Sequence, residues 1–299
     1  MPDMASVLAV IADRVRDLNV PVDLYLDHIG KQESPNGFWE RLGIRQILSN
    51  TYQDSIGIKG DWPVASRWSS LKNDAVIEGL SALLSDCPII RFADWAKTDD
   101  ASGFWDGLFS DVIKPLNKRD FEFIFHPGDV SKKLVFEVDE FLDIMGDYSS
   151  HGRVTVVLDE QEADQLWSRL NGRASYATSA GFRTPGAREK YLFLFNAMRI
   201  DVLLIVGDNH TVLLSRDGQL DLAGRPFNKI NVPVDNKDYF NAGYQLGLLL
   251  HLEIPHCVAL GLAVSGAYVE QASRPGSKEL LSYINDWVAE LLPVTLQHF

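Results

Sequence analysis

Residues 121–170 read "FEFIFHPGDVSKKLVFEVDEFLDIMGDYSSHGRVTVVLDEQEADQLWSRL", and the fold turns on them. Two short runs, 121–126 and 153–159, are largely apolar throughout, as strands buried on both faces must be. Helix-patterned segments at 133–147 and 160–171 follow them. Strand, helix, strand, helix in that order predicts parallel strands joined by helical crossovers.

The alternation continues outward in both directions. Upstream, a helix at 72–86, a strand at 88–94 and a helix at 102–116 precede the quoted stretch. Downstream, a polar loop at 172–186 leads to a helix at 187–199 and a strand at 201–207. Residues 210–216 and 219–223 flank a turn at Asp217–Gly218 and predict an antiparallel hairpin. Three helices follow, at about 236–251, 255–270 and 277–292. An amphipathic helix at 4–18 carries Val7, Ile11, Val15 and Leu18 on one face, and 21–26 reads as a strand. Residues 30–70 show no clean period. No linker rich in Pro, Gly or Ser interrupts 72–292, so a single α/β domain with a central, mostly parallel sheet is expected over 1–299.

The 299 residues are 46 % hydrophobic and 23 % charged, enough apolar content for a sizeable core. The formal net charge is −13, and no dense Lys/Arg run offsets it. The counterion release that drives nucleic-acid binding is therefore missing, and an anionic membrane surface would repel the chain. No apolar run reaches the roughly 18 residues of a membrane span. The first twenty residues lack a basic segment and a long apolar core, so no signal peptide is read and a cytoplasmic location is expected. Cys87 and Cys257 stand in apolar text without metal or disulfide spacing and read as reduced core thiols.

Acids gather where the predicted strands end: Asp94, the His126-Pro127-Gly128-Asp129 turn, and Asp159 with Glu162. In open α/β sheets ligands bind outside that edge. Taken singly, each acid reads first as an ordinary helix N-cap. His28, His126, His151, His210, His251, His256 and His298 show no metal spacing, and most read as surface or structural. The seven tryptophans are too scattered for a stacking platform.

The stretch "VDNKDYFNAGYQLGLLL", 234–250, opens a helix on a charged turn followed by small residues. Capping and dipole effects account for Asp235, Asn236 and Asp238, and close packing accounts for Ala242, Gly243 and Gly247. The alternative is an acid beside an anion-binding helix terminus. The longer text "DYFNAGYQLGLLLHLEIPHCVALGLAVSGAYVEQASRPGSKELLSYI" resembles the C-terminal part of the ribokinase-like (PfkB) carbohydrate kinases, in which Gly-Ala-Gly-Asp opens a helix continuing Phe-x-Ala-Gly-Phe. Asp238 aligns with the acid of that motif. "VVLDEQEADQL" resembles the strand and Asn-x-x-Glu segment of the family, with Asp159 in place of Asn and Glu162 retained. "DVLLIVGDNHTVLLSRDGQLDLAG" resembles the strand and hairpin before the catalytic motif. Residues 72–292 carry the resemblance, and 1–71 diverge from it.

The resemblance implies a three-layer α/β/α ribokinase-like fold, with the lid reduced or absent. It implies ATP-dependent phosphoryl transfer to a sugar or similar alcohol, with Asp238 as the base. Nucleotide contacts would come from Asn236, Lys237, Asn241, Gly243 and Gly207, and magnesium would sit near Glu162 and Asp159. Asp27 and Gly60, in "LYLDHIG" and "IGIKGDWPVASRW", would meet the sugar, and a homodimer would follow from the family alone. The chain departs from the motif at Asp235-Asn236-Lys237-Asp238, where both glycines are gone. Glycine lets backbone N–H groups approach a phosphate closely. An active kinase and a degenerate homologue kept as a binding or scaffold module are therefore both consistent with the residues. No Gly-x-Ser-x-Gly elbow supports a hydrolase.

Overall fold

The computed structural model describes residues 3–17, 67–85, 89–93, 95–97, 100–171, 185–226, 236–273 and 275–292. The expected strand at 21–26, together with Asp27, Gly60, Cys87, Asp94 and Asp235, lies outside them. Two compact units divide the chain. One comprises Met1–Gln32, Val206–Leu213 and Gln219–Phe299, and the other Glu33–Ile205 and Leu214–Gly218.

The second unit opens with α2 (Trp68–Leu71) and α3 (Asp74–Ser85). Strand β1 (Ile89–Ala93) is followed by α4 (Ala101–Leu108), a π-helical turn (Phe109–Ile113) and α5 (Lys114–Leu116). The sequence predicts one unbroken helix here. Pro115 explains the difference, because it has no N–H to give the carbonyl one turn back and its ring crowds that carbonyl. Strand β2 (Phe121–His126), α6 (Val135–Ser149), β3 (Gly152–Asp159) and α7 (Glu160–Asn171) then follow the predicted alternation, with α8 (Ala187–Met198) and β4 (Val202–Val206) after them. β1 pairs with β2 and β2 with β3, both parallel, placing Ala93 opposite His126 and Phe125 opposite Val156.

Strands β5 (His210–Ser215) and β6 (Gly218–Ala223) complete one six-stranded sheet in the order β1-β2-β3-β4-β5-β6. Loops as short as 207–209 and 216–217 allow only antiparallel hairpins. The sheet is therefore mixed, with its first strands parallel. The core of the second unit is aromatic. Phe92 stacks on Phe125 at 4.6 Å, and Tyr148 meets Phe92, Phe123 and Phe125 edge-on. The Tyr148 hydroxyl is buried and donates to the Trp105 carbonyl at 2.8 Å, and burial pushes its pKa well up. Trp68 lies over Gly107, leaving no room there for a Cβ, and donates from Nε1 to Asp111 at 2.6 Å. Lys72 Nζ reaches the other oxygen of Asp111 at 2.8 Å. These two bonds, Lys72 first, hold the Asp111 carboxyl below the usual carboxylate range.

In the first unit, α1 (Met4–Arg16) buries Val7, Leu8, Ile11 and Val15 and packs on α11 (Ser277–Leu291) and α10 (Ile254–Gln271). Helix α9 (Asn236–Leu249) lies along α10. A Cβ on Gly243 would sit 2.7 Å from the Leu260 carbonyl oxygen, and one on Gly247 would sit 2.8 Å from the Cys257 Cα. Gly261 meets Phe240 just as closely. The small residues thus set how near the two helices lie, as their pattern suggests. Cys257 is buried, and its thiol donates to the Leu252 carbonyl at 3.4 Å. Arg225 ties the end of β6 to α10 and α11. It donates to Glu290 at 3.0 and 2.6 Å and to Glu270 at 3.0 Å, and it stacks over Tyr283.

Gly243→Ala should lower unfolding free energy by about 1–3 kcal/mol in urea titrations, because the added methyl overpacks a backbone contact. The depressed pKa of Asp111 makes its contribution present above the unfolded-state pKa and lost as pH falls through the folded one. The Tm difference between wild type and Asp111→Asn should therefore be present at neutral pH and close on acidification through the carboxylate range.

Candidate functional site

Parallel pairing puts the carboxyl ends of β1, β2 and β3 side by side. The exits of β1 and β2 are joined directly, since the Ala96 N–H donates to the Pro127 carbonyl at 2.8 Å. Gly128 then turns the chain with φ +77°, a conformation that favours glycine. Asp129 follows and accepts from the Ser131 N–H at 2.8 Å. That hydrogen bonding, with the Ser131 side chain as the largest cause, lowers the Asp129 pKa, and the Glu162 charge pushes the other way.

At the exit of β3, Asp159 and Glu162 cap α7 reciprocally. The Glu162 N–H donates to Asp159 Oδ1 at 2.6 Å, and the Asp159 N–H donates to Glu162 Oε2 at 2.8 Å. This is the capping-box arrangement of an N-cap acid with Glu at the third helical position. The capping expectation for these acids is met, and the bonds that close the helix also fix the direction of the Glu162 carboxylate. His126 Nε2 lies 3.4 Å from Glu162 Oε2. Both side chains are largely buried, at 16 % and 12 % exposure. The sequence places His126 in the strand-end turn His126-Pro127-Gly128-Asp129, and the structure adds its contact with Glu162.

Helix α9 carries the other candidate residues. Asn236 opens it, and Lys237 and Asp238 stand half-buried in its first turn. Asn241 is fully buried, and Gly243 faces α10. Gly207 sits in the turn between β4 and β5, where its N–H donates to the His210 carbonyl at 2.9 Å and the His210 ring fills the space beside it. Asp27 and Gly60 fall outside the described residues. Among those described, no group of three or more His, Cys, Asp or Glu could hold a metal ion. No helix among them is long and apolar enough to cross a membrane.

A family profile for prokaryotic ketohexokinases matches residues 62–287, more than half of the chain and the whole of the strand–helix alternation. The chain belongs to that family. It is accordingly a homologue of the PfkB carbohydrate kinases. The fold agrees with that of adenosine kinase from Sinorhizobium meliloti, at 14 % identity and TM-score 0.51, covering 69 % of this chain and 56 % of the other. A "probable sugar kinase protein" from Rhizobium etli gives 17 % identity and TM-score 0.51, with 71 % and 57 % covered. The chain thus spans little more than half the length of these solved structures. No match to a curated protein is found.

Asp159→Ala should cost about 0.5–2 kcal/mol of stability, whereas Asp159→Asn, an equally good N-cap, should stay close to wild type. Thermal and urea unfolding of the two variants check this.

Proposed function

We propose that this protein transfers the γ-phosphoryl group of ATP to a hydroxyl of a sugar. The observation that carries the reading is the family match over 62–287, a span that includes Asp238 in the first turn of α9. Asp238 acts as the general base. The substrate O–H bond breaks as the new oxygen–phosphorus bond forms, and the proton ends on the Asp238 carboxylate. A base of this kind contributes roughly 10²–10⁴-fold to the rate.

The N-terminus of α9 directs backbone N–H groups and the positive end of the helix dipole at an anion. Lys237 adds a point charge in the turn where the family motif carries glycine, and Asn236 shares the nucleotide contact. Asp27 and Gly60 are assigned to the sugar. Magnesium characteristically takes one or two carboxylates and completes its shell with water and phosphate oxygens. The Asp159–Glu162 pair at the sheet edge fits that demand, and its capping bonds hold the carboxylates in place. When bound, the ion supplies charge neutralisation on the phosphates.

Calorimetric titration with ATP and Mg²⁺, followed by a sugar panel assayed for turnover, tests the proposal. Binding should be clear in the wild type, and Asp238→Asn should keep it while losing about 10²–10⁴-fold in kcat. No binding at millimolar ATP would overturn the kinase reading in favour of a fold retained as a binding module.

A further inference from the structure

Asp238, Asn241 and Gln245 stand at i, i+3 and i+7 of α9. At 3.6 residues per turn they form one stripe, on the far side of the helix from the Gly243 and Gly247 contacts with α10. Asn241 is 2 % exposed and Gln245 8 %. Among the described residues, neither Oδ1 nor Nδ2 of Asn241 has a hydrogen-bond partner, and Nε2 of Gln245 has none either. A buried amide left in that state destabilises the fold, whereas an apolar side chain of similar shape would not. Such groups in native proteins are satisfied by ordered water, ion or ligand. Two of them follow one another along a single stripe whose outer end is the candidate base.

We propose that Asn241 and Gln245 hold internal water directly behind Asp238. Water suits the position, because an amide offers both donors and an acceptor, and an internal water needs two to four polar partners. Exposure of 2 % closes Asn241 to a nucleotide that arrives from solvent. Residues three apart on a helix are neighbours, so water on the Asn241 amide reaches the Asp238 carboxylate. It hydrogen-bonds that carboxylate from the helix side and so helps to fix where the carboxylate points. Asn241 and Gln245 are positioning residues in this scheme. The role in turnover rests on the phosphoryl-transfer reading, and the hydration site itself does not.

The test uses the full chain and three variants, Asn241→Leu, Asn241→Ser and Gln245→Leu. In protein labelled with ¹⁵N at Asn and Gln, the Asn241 side-chain amide protons should exchange magnetisation with a bound water. Asn241→Leu should melt at or above the wild-type temperature. Its kcat should fall about tenfold with KM for ATP unchanged, a fraction of the general-base contribution. Asn241→Ser, which leaves room for water, should recover most of that loss, and Gln245→Leu should show a smaller loss. Absence of a water contact at the Asn241 amide, or wild-type kcat in Asn241→Leu, would overturn the proposal. A wild-type protein that turns over no sugar would defeat the phosphoryl-transfer reading alone, and the magnetisation exchange would still decide the hydration site.

Discussion

Parallel pairing of three consecutive strands is the constraint on which the arrangement of the sheet edge depends. A parallel neighbour is reached only by carrying the chain back across the sheet, and here α4 to α5 and then α6 make those returns. Strands β1, β2 and β3 therefore end on the same edge. With Ala93 opposite His126 and Phe125 opposite Val156, the chain beyond each strand emerges beside the next. The proximity of His126, Asp129 and Glu162 is a consequence of register. The aromatic packing of Phe92, Phe125 and Tyr148 resists a slip of that register, since a shift by one residue would turn the rings to the opposite face.

At the edge itself, the acids have a structural role that the hydrogen bonds make explicit. The Asp159 and Glu162 carboxylates satisfy backbone N–H groups that would otherwise be orphaned at the start of α7. The same bonds fix where the carboxylates point. A helix cap is thus an economical way to orient an acid, and it explains why strand-end acids read as both caps and site residues.

Helix α9 divides its duties by face. Toward α10 it presents glycine, because backbone approach between helices needs the absence of a Cβ at the crossing. On the opposite stripe it buries Asn241 and Gln245, residues that close packing does not call for. The family motif's two glycines are replaced in this sequence by Asp235 and Lys237 ahead of Asp238, positions that do not belong to the packed Gly243 and Gly247 face. Divergence of the anion-binding turn and retention of the helix pair are compatible for that reason.

Much of this architecture was legible in the residues. The strands at 121–126 and 153–159 and the helix at 160–171 are stated by apolar runs and by helical periodicity, both local properties of a chain that must bury one face or two. The small residues of α9 likewise announce a close helix contact. The π-helical turn was not legible, because one proline reshapes the carbonyls of the turn before it. Neither was the placing of His126 on Glu162, since 36 positions separate them and only the β2–β3 register brings them together. Local composition determined which segments are strands and helices. Long-range pairing and burial, which no window of sequence contains, decided which polar groups meet a partner and which, like the Asn241 amide, find none among the described residues.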